Sequence, residues 1–244
     1  MTAVLPDSVP AVIARLREIE ASAPPSDGVV CFARLYREVT EGVGAVLEQQ
    51  SAAGARFLER LDVGFAGLFF SALDAYEQGA ATVPSAWVPL FAYRSRRGVA
   101  PLQFALAGMN AHINRDLPVA LVASCKELGL DIFGAAPDHA AFERVDVLLG
   151  QVEQRVKGFY LTGWVAKVDR VLHRIHRLDD VIAMWDVSRA RDAAWTNGRT
   201  LWGLRASPEL AADFLTALDR MVGLGSRGLL LPADSLLQKV ARMV

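Results

Sequence analysis

The sequence predicts an all-α fold, a single-domain bundle of about eight or nine helices that covers residues 1–244. Apolar residues recur at intervals of three and four along most of the chain, which is the spacing of one face of an α-helix. The alternating pattern typical of strands is nearly absent, and Pro and Gly stand between the periodic segments. A chain of 244 residues with 52% hydrophobic content can form one sizeable core, and no long linker divides it.

Polar capping residues mark the helix starts in the first third of the chain. Ser8 is predicted to cap a first helix, because its hydroxyl can accept a hydrogen bond from a free backbone N–H of the first turn. After a break at Pro24-Pro25, Ser26 or Asp27 is predicted to open a second helix in the same way. A third helical pattern covers residues 55–78.

Proline and glycine delimit the elements in the middle of the chain. Pro84 and Pro89 interrupt residues 79–98, which predicts a loop that holds a short helix at about residues 87–93. A long helical pattern follows at residues 101–129. It begins with proline, which fits the first helical turn, and ends with glycine, which adopts the left-handed conformation that follows many helices.

Further helical patterns follow in the second half of the chain. Their predicted starts are Asp138, about Thr162, Asp186, Ser207 and the residue after Pro232. The helix that opens with Ser207-Pro208-Glu209 is expected to stop at Gly223, since glycine is common just past the end of a helix.

Charge and composition exclude several classes of partner. With 26 Lys and Arg against 27 Asp and Glu, the formal net charge is −1, which lacks the positive excess of proteins that bind nucleic acid or anionic membranes. No apolar run approaches the roughly 20 residues of a membrane span, and the N-terminus lacks the pattern of a signal peptide. Cys31 and Cys125 lie far apart within helical patterns and fit buried free thiols. We therefore expect a cytoplasmic protein that binds neither nucleic acid nor membrane.

The most informative stretch is the polar sequence between Gly108 and Pro118. At 100° per residue, His112 and Asp116 lie one turn apart on the same face of a helix. The other residues of this face are apolar or small, namely Leu102, Ala105, Met109 and Val119. Because Pro118 has no N–H to donate to the carbonyl of Asn114, the helix is predicted to bend or open there. A polar pair on an inward face is unfavourable unless partners satisfy it.

Three explanations of this pair are open. In the first, Asp116 and either Asn110 or Asn114 form a structural network that ties neighbouring helices together. In the second, His112 and Asp116 line a pocket as an acid–base pair, with the carboxylate fixing the tautomer of the imidazole. In the third, the two side chains are half of a metal site, since His-x-x-x-Asp presents two ligands on one helical face and needs at least one more from elsewhere.

Two further carboxylates, Asp62 and Asp146, are predicted to lie in the interior. Their neighbours at helical spacing are apolar or small: Leu58, Phe65, Ala66 and Phe69 around Asp62, and Phe142 and Leu149 around Asp146. Burial among such neighbours raises the pKa of a carboxyl group, which suits a general acid, whereas a buried arginine partner would lower it. A purely structural role stays open for both.

The last third of the chain contains a cluster of tryptophans and arginines, and a polar stripe. In the cluster, Trp195 and Arg191 are candidates for a pocket wall with an arginine that reaches an anionic substrate group, and core packing is the alternative. The stripe consists of Asp169, His173, His176 and Asp180. It rises roughly 16 Å along one helix, which is too far for a single metal ion, so it favours a solvated or subunit-contacting face.

Residues 108–117, with the sequence Gly-Met-Asn-Ala-His-Ile-Asn-Arg-Asp-Leu, resemble the signature of a largely actinobacterial family of all-helical proteins. The resemblance extends to the segment around Asp62 and to residues 142–146 and 188–195, so it covers most of the chain. That family carries a domain-of-unknown-function label, so the resemblance implies a fold class and a focus on the His112 helix. The same helix is similar in outline to one in the helical zinc-dependent phospholipase C and nuclease group. That group needs more His and Asp ligands than a chain with four histidines supplies.

The leading prediction is an enzyme with a pocket between helices that acts, without a cofactor, on a small apolar polyketide- or terpenoid-like molecule. Cyclisation, isomerisation or dehydration in secondary metabolism would suit apolar walls and few polar groups. His112 and Asp116 would transfer protons, and Asp62 would serve as a second acid or base. The predicted substrate contacts are Asn110, Arg115, Asp146, Trp195 and Arg191.

Two alternatives come from other functional classes. One is a metal-dependent hydrolase in which His112 and Asp116 bind Zn or Mg. The other is a non-catalytic small-molecule-binding or scaffold protein in which the polar pair is architectural. A small-molecule substrate is the partner expected for the enzyme, and a homodimer stays open.

Overall fold

The chain is built from α-helices. A computed structural model describes residues 5–47, 51–133 and 187–232. The helices in these ranges are α1 (Val9–Ala21), α2 (Gly28–Leu47), α3 (Ala52–Glu77), α4 (Val88–Tyr93), α5 (Pro101–Ala111), α6 (Leu117–Leu128), α7 (Val187–Gly203) and α8 (Pro208–Leu229). A π-helical turn, His112–Asp116, joins α5 to α6, and a short 3-10 turn, Leu204–Ala206, precedes α8. No strand occurs within the described ranges, and the predicted all-α, multi-helix fold is confirmed.

Two helices begin with a side-chain cap, and the cap of α2 agrees with the prediction. The Oδ1 atom of Asp27 accepts hydrogen bonds from the backbone N–H groups of Val29 at 2.8 Å and Val30 at 3.3 Å. Of the two residues predicted to open α2, Asp27 is therefore the cap. Ser51 caps α3 by accepting a hydrogen bond of 3.2 Å from the N–H of Gly54, so this helix starts slightly before its predicted position.

The long central helix opens where a bend or opening was predicted. In the π-helical turn, the N–H of Leu117 donates to the carbonyl of His112, five residues back instead of four. Pro118 explains the position, because it cannot donate to the carbonyl of Asn114 and so leaves the backbone free to widen. Gly129 ends α6 in the left-handed conformation with a φ of 67°, as predicted.

Two expectations about helix ends were wrong. Helix α1 starts directly after Ser8, but the hydroxyl of this residue makes no capping hydrogen bond. Gly223 does not end α8, which continues to Leu229. A Cβ atom at position 223 would lie 2.5 Å from the carbonyl oxygen of Ser85. Glycine is therefore required there by the close approach of α8 to the loop before α4.

The helices share an apolar core in which aromatic rings cluster. Helix α2 packs against both α1 and α5, α3 packs against α6, and α8 packs against α5. Four buried rings, those of Phe32, Phe69, Trp87 and Phe91, form a chain of contacts with centroids 4.9 to 5.5 Å apart. The π-helical turn lies against this core and contacts α3, α7 and α8 in addition to the two helices that it joins.

Among the helices of the described ranges, none combines the length and the apolarity that a membrane crossing requires. Several sequence predictions fall on residues outside these ranges. They are the carboxylate Asp146, the helix starts at Asp138, Thr162 and Asp186, the polar stripe at residues 169–180, and the helix after Pro232.

Candidate functional site

The π-helical turn brings His112 and Asp116 together in the interior. Their side chains are 1% and 0% exposed, and His112 Nδ1 lies 3.2 Å from Asp116 Oδ2. A π-helical turn contains more residues than an α-helical one, so positions four apart come closer to alignment along the helix axis. The π-helical turn therefore brings the two side chains closer to one line along the helix than the α-helical spacing alone indicates.

Two further donors hold the carboxylate of Asp116. The indole Nε1 of Trp87 donates to Oδ2 at 2.9 Å, and Nη1 of Arg115 donates to Oδ1 at 2.7 Å. Both groups can only donate, and a carboxylate can only accept, so Nδ1 of His112 completes the set as a third donor. This network assigns the proton of the neutral imidazole to Nδ1 and leaves a lone pair on Nε2.

The Nε2 atom of His112 is buried and makes no hydrogen bond to any described residue. The ring of Phe65 stacks on the face of the imidazole, with 3.4 Å between centroids and 6° between planes, and Tyr36 meets it edge-on at 4.6 Å. The other aromatic neighbours are Phe32, Phe69 and Trp87. Burial lowers the pKa of His112, and hydrogen bonding to Asp116 opposes this shift. The imidazole is therefore neutral at neutral pH, with Nε2 as its proton acceptor.

Two other buried polar atoms have no hydrogen-bond partner among the described residues, Oδ2 of Asp62 and the hydroxyl of Tyr36, whose ring contacts the imidazole. Asp62 lies on α3 one turn before Phe65, the residue that stacks on His112. Burial raises the pKa of Asp62 to about 7. Burial also raises the pKa of Tyr36 well above its usual value, the charges of Asp62 and Asp116 raise it further, and the side chain of Thr40 opposes the shift. The hydroxyl of Thr40 donates its own hydrogen bond to the backbone carbonyl of Tyr36 at 3.0 Å. At neutral pH the tyrosine keeps its proton, and Asp62 can either give or take one.

A separate polar network ties α5 to α8. The amide nitrogen of Asn110 donates to the carbonyl of Val222 and to the hydroxyl of Ser226, both at 3.0 Å. Its amide oxygen accepts from Asn114 at 3.0 Å, and the hydroxyl of Ser226 donates to the carbonyl of Ala107 at 3.3 Å. A structural network of the kind considered from the sequence therefore exists, but it is built from the asparagines. A role of Asn110 in substrate binding stays a prediction.

Asp219 on α8 binds the backbone that precedes Trp87 and lies close to Arg115. Its two oxygens accept hydrogen bonds of 2.7 and 3.1 Å from the backbone N–H groups of the two residues before Trp87. Nε of Arg115 lies 3.6 Å from Oδ1 of Asp219, so this guanidinium stands between the carboxylates of Asp219 and Asp116. Arg115 is thus engaged with two acidic residues of the protein, and its predicted contact with substrate stays a prediction.

The sequence did not single out three residues that complete this environment, namely Tyr36, Trp87 and Asp219. Tyr36 lies at an apolar-stripe position of the second helical pattern, and Trp87 lies at the start of the predicted short helix at about residues 87–93. A tyrosine or tryptophan within an apolar stripe carries a polar atom that needs a partner when buried. That requirement is the signal that could have drawn attention to the first two. Asp219 carries no such signal, since it lies on a partly exposed helix.

Helix α7 adds a buried cation beside the π-helical turn. Arg191 is 1% exposed, and burial lowers its pKa to about 10. Trp195, one turn further along α7, is partly buried against the core. The predicted contact of these two side chains with a substrate stays a prediction, as does that of Asp146.

Among the described residues, the side chains around Asp116 do not form a metal site. In the part of the chain that the structure describes, no three His, Cys, Asp or Glu side chains form a group that could hold one. The oxygens of Asp116 face three hydrogen-bond donors, one of which is a guanidinium. A cation at this carboxylate would have to displace them.

Comparison with known proteins adds a family without an assigned activity. A family model, described as a family of unknown function (DUF5995), matches residues 9–232. No curated protein and no solved structure matches the chain significantly.

Proposed function

The chain belongs to the DUF5995 family, and from its geometry we propose that it is a cofactor-independent acid–base enzyme. Its substrate is a small, largely apolar molecule. The reaction is an isomerisation, cyclisation or dehydration, in which a proton is removed at one atom and returned at another. His112 is the general base, and Asp62 is the second acid or base.

The unpartnered Nε2 of His112 is the observation on which the proposal rests. A histidine with a structural role is best stabilised when both ring nitrogens are hydrogen-bonded, because a buried polar atom left unsatisfied costs about 1–3 kcal/mol. Here Asp116 orients one nitrogen, and the other keeps its lone pair inside an aromatic cluster. A general base needs both features, a fixed tautomer and a free lone pair.

Asp116 acts through His112 in this proposal. Its oxygens accept from His112, Trp87 and Arg115, so protein donors already occupy three of its roughly four lone-pair positions. Its negative charge stabilises the imidazolium that forms when Nε2 takes up a proton. Trp87 and Arg115 keep the carboxylate in place and so reduce the reorganisation needed during the reaction.

The aromatic surroundings support a largely apolar substrate. Phe32, Phe69 and Trp87 are fully buried next to the imidazole, whereas Phe65, which covers one face of it, is only partly buried. A ligand would therefore displace the ring of Phe65 and then reach the edge of the imidazole, where the lone pair of Nε2 lies in the ring plane. In such a water-poor environment, proton transfer to a neutral base is favoured when a counter-charge such as Asp116 is already in position.

Deuterium exchange tests the proposal. The purified protein is incubated in D2O with a library of small apolar metabolites, and mass spectrometry records incorporation of deuterium and formation of isomers. We expect the wild-type protein to label at least one compound, and His112→Gln to slow labelling by roughly 10²–10⁴-fold. Asn114→Ala is the matched control, because it removes a hydrogen bond from the same helix but outside the site.

The control separates a lost base from a damaged fold. Unfolding temperatures of both variants are measured alongside the exchange rates. If His112→Gln labels as fast as the wild type, the imidazole is not the base. If compounds bind but none is labelled or isomerised by any form, the protein is a non-catalytic binder.

A further inference from the structure

Three buried polar atoms that lack hydrogen-bond partners in the described residues come from three elements that meet at one place. They are the Tyr36 hydroxyl on α2, Oδ2 of Asp62 on α3 and Nε2 of His112 in the π-helical turn. The first two can donate a hydrogen bond when protonated, and the third can only accept a proton in its assigned tautomer. Each is expensive to bury alone, so their combination calls for a ligand that satisfies all three.

Ring contacts place Tyr36 and His112 around the ring of Phe65, and Asp62 is related to this group by its position on α3. Tyr36 meets the imidazole of His112 at 4.6 Å between centroids, and Phe65 lies 3.4 Å from the imidazole and 6.0 Å from the ring of Tyr36. Asp62 precedes Phe65 by one helical turn on α3, and α3 packs against both α2 and the π-helical turn. Tyr36 and His112 therefore both contact the Phe65 ring, Asp62 lies one helical turn from it, and the lone pair of Nε2 lies in the imidazole plane at the edge of this group.

We infer that the substrate is a neutral ketone or enone with an acidic C–H next to its carbonyl, and that Tyr36 and Asp62 bind the carbonyl oxygen. This inference rests on the proposed acid–base function and specifies its substrate class. A carbonyl oxygen has two lone pairs, which match two O–H donors, and it becomes an oxyanion as the neighbouring C–H proton leaves. Donors that are already in position at that oxygen lower the barrier, because they bind the oxyanion more strongly than the ground state.

The proposed step balances without an external reagent. The lone pair of His112 Nε2 takes the proton from the carbon, and the C–H bonding pair becomes the C=C bond of an enol. The C=O π pair moves to the oxygen, which receives the proton of Asp62 and keeps a hydrogen bond from Tyr36. With an enone the enol is a conjugated dienol, and return of the imidazole proton to its far carbon, with return of the hydroxyl proton to Asp62, regenerates the protein. With a ketone the proton returns to the same carbon from the other face and inverts its configuration. The net change is an isomerisation that consumes no oxidant or reductant.

Protonation of the two donors agrees with this assignment. The pKa of Asp62, about 7, keeps a large fraction of this group protonated near neutral pH. Tyr36, whose pKa is raised mainly by burial, stays a hydroxyl. An anionic ligand group would meet Asp62 and Asp116 and lose its hydration without gaining a cation at this oxygen position, so a neutral carbonyl is favoured.

A pair of shape-matched fluorescent probes tests the oxygen site. 2-Naphthol mimics an enol, since it carries a hydroxyl on an apolar bicyclic frame, and 2-methylnaphthalene replaces this hydroxyl by a methyl group. Binding of both to the full chain is measured by fluorescence titration at pH 7. We expect 2-naphthol to bind at least about tenfold more tightly, which is the effect of one good hydrogen bond to the polar group.

Variants assign the preference to the two donors. Tyr36→Phe and Asp62→Leu should each reduce the preference for 2-naphthol by about tenfold and leave the affinity for 2-methylnaphthalene unchanged. Asp62→Asn, which keeps an N–H donor, should retain most of the preference, and Asn114→Ala should retain all of it. Thermal unfolding verifies that each variant is folded.

The two probes separate failure of this inference from failure of the proposed function. If both bind equally well to the wild type, or if the preference survives in Tyr36→Phe and in Asp62→Leu, the oxygen site is wrong while an apolar site remains. If neither probe binds, the site is closed to apolar molecules of this size, and the proposed function falls with the inference.

Discussion

Replacing Asp116 by Asn changes the charge at the centre of the site with almost no change in shape. The carboxylate accepts from His112 and Trp87 on one oxygen and from Arg115 on the other. An amide has a single acceptor oxygen, so its NH2 group must face either the indole and imidazole or the guanidinium. In either orientation the NH2 group of the asparagine faces another hydrogen-bond donor. The imidazole can relieve one of these clashes by moving its proton from Nδ1 to Nε2.

The expected loss of stability follows from the burial of the network. Removing one partner from a buried, hydrogen-bonded charge typically costs about 3–5 kcal/mol. Asp219 lies 3.6 Å from Nε of Arg115 and keeps a counter-charge near the guanidinium. We therefore expect Asp116→Asn to lower the free energy of unfolding by about 3 kcal/mol, the lower end of this range. For a chain of this size, that corresponds to a fall in Tm of roughly 6–12 °C.

Two measurements test this prediction. Urea unfolding at pH 7 gives the free energy, with Asn114→Ala as the control that loses one neutral hydrogen bond and about 1 kcal/mol. Nitrogen-15 chemical shifts of the His112 ring report its tautomer. We expect Nδ1–H in the wild type and a shift toward Nε2–H in Asp116→Asn. A wild-type ring that carries its proton on Nε2, or a variant no less stable than the control, would refute the reasoning.

Three other changes test separate parts of the structure. The pKa of Asp62 is raised from 3.8 to about 7 in the folded chain, so the folded state binds this proton more tightly and stability falls as pH rises between these values. The free energy of unfolding of Asp62→Asn, measured with urea, should therefore rise by about 3 kcal/mol relative to that of the wild type as the pH increases from 5 to 8. A difference between the two proteins that does not change with pH would contradict this. Gly223→Ala should lose roughly 1–3 kcal/mol because its Cβ would meet a backbone carbonyl at 2.5 Å. A Cβ atom at Gly64 would have nothing within 4 Å, so Gly64→Ala should raise the free energy of unfolding by roughly 0.5–1 kcal/mol. Similar effects of the Gly223 and Gly64 substitutions would contradict the packing argument. Phe65→Ala should accelerate carbethoxylation of His112 by diethyl pyrocarbonate, as measured by peptide mass mapping, whereas an unchanged rate would show that Phe65 does not cover the imidazole.

The sequence was most informative wherever one helix determines the outcome. The spacing of His112 and Asp116 predicts their adjacency, and Pro118 predicts the opening of the helix between them, because both effects depend on residues within five positions. Capping of α2 by Asp27 is equally local, since a side chain bonds to N–H groups two and three residues later. Burial of Asp62 also followed from its own helix, whose neighbouring positions are apolar.

Contacts between different helices could not be predicted from the spacing of residues within one helix. The indole of Trp87 reaches Asp116 across 29 positions, and Asp219 holds the backbone before Trp87 from more than 130 positions away. A helical wheel orders residues within one helix but does not say which helix lies opposite. The misassignment of Gly223 has the same origin, because a glycine needed for a close approach and a glycine that ends a helix look alike in sequence.

The contrast between two polar clusters on the same stretch of chain bears on function. Asn110, Asn114 and Ser226 make interlocking hydrogen bonds that tie α5 to α8, as expected of groups retained for architecture. Around His112 the pattern differs, since Nε2, the hydroxyl of Tyr36 and one oxygen of Asp62 are buried without partners in the described residues. Each such atom costs about 1–3 kcal/mol, a large amount against a net stability of about 5–15 kcal/mol. Phenylalanine and leucine would fill positions 36 and 62 of an aromatic core without that cost. A ligand that satisfies these groups together would offset their cost, which supports the proposed site, although Nε1 of Trp202 on α7 is also buried without a partner in the described residues.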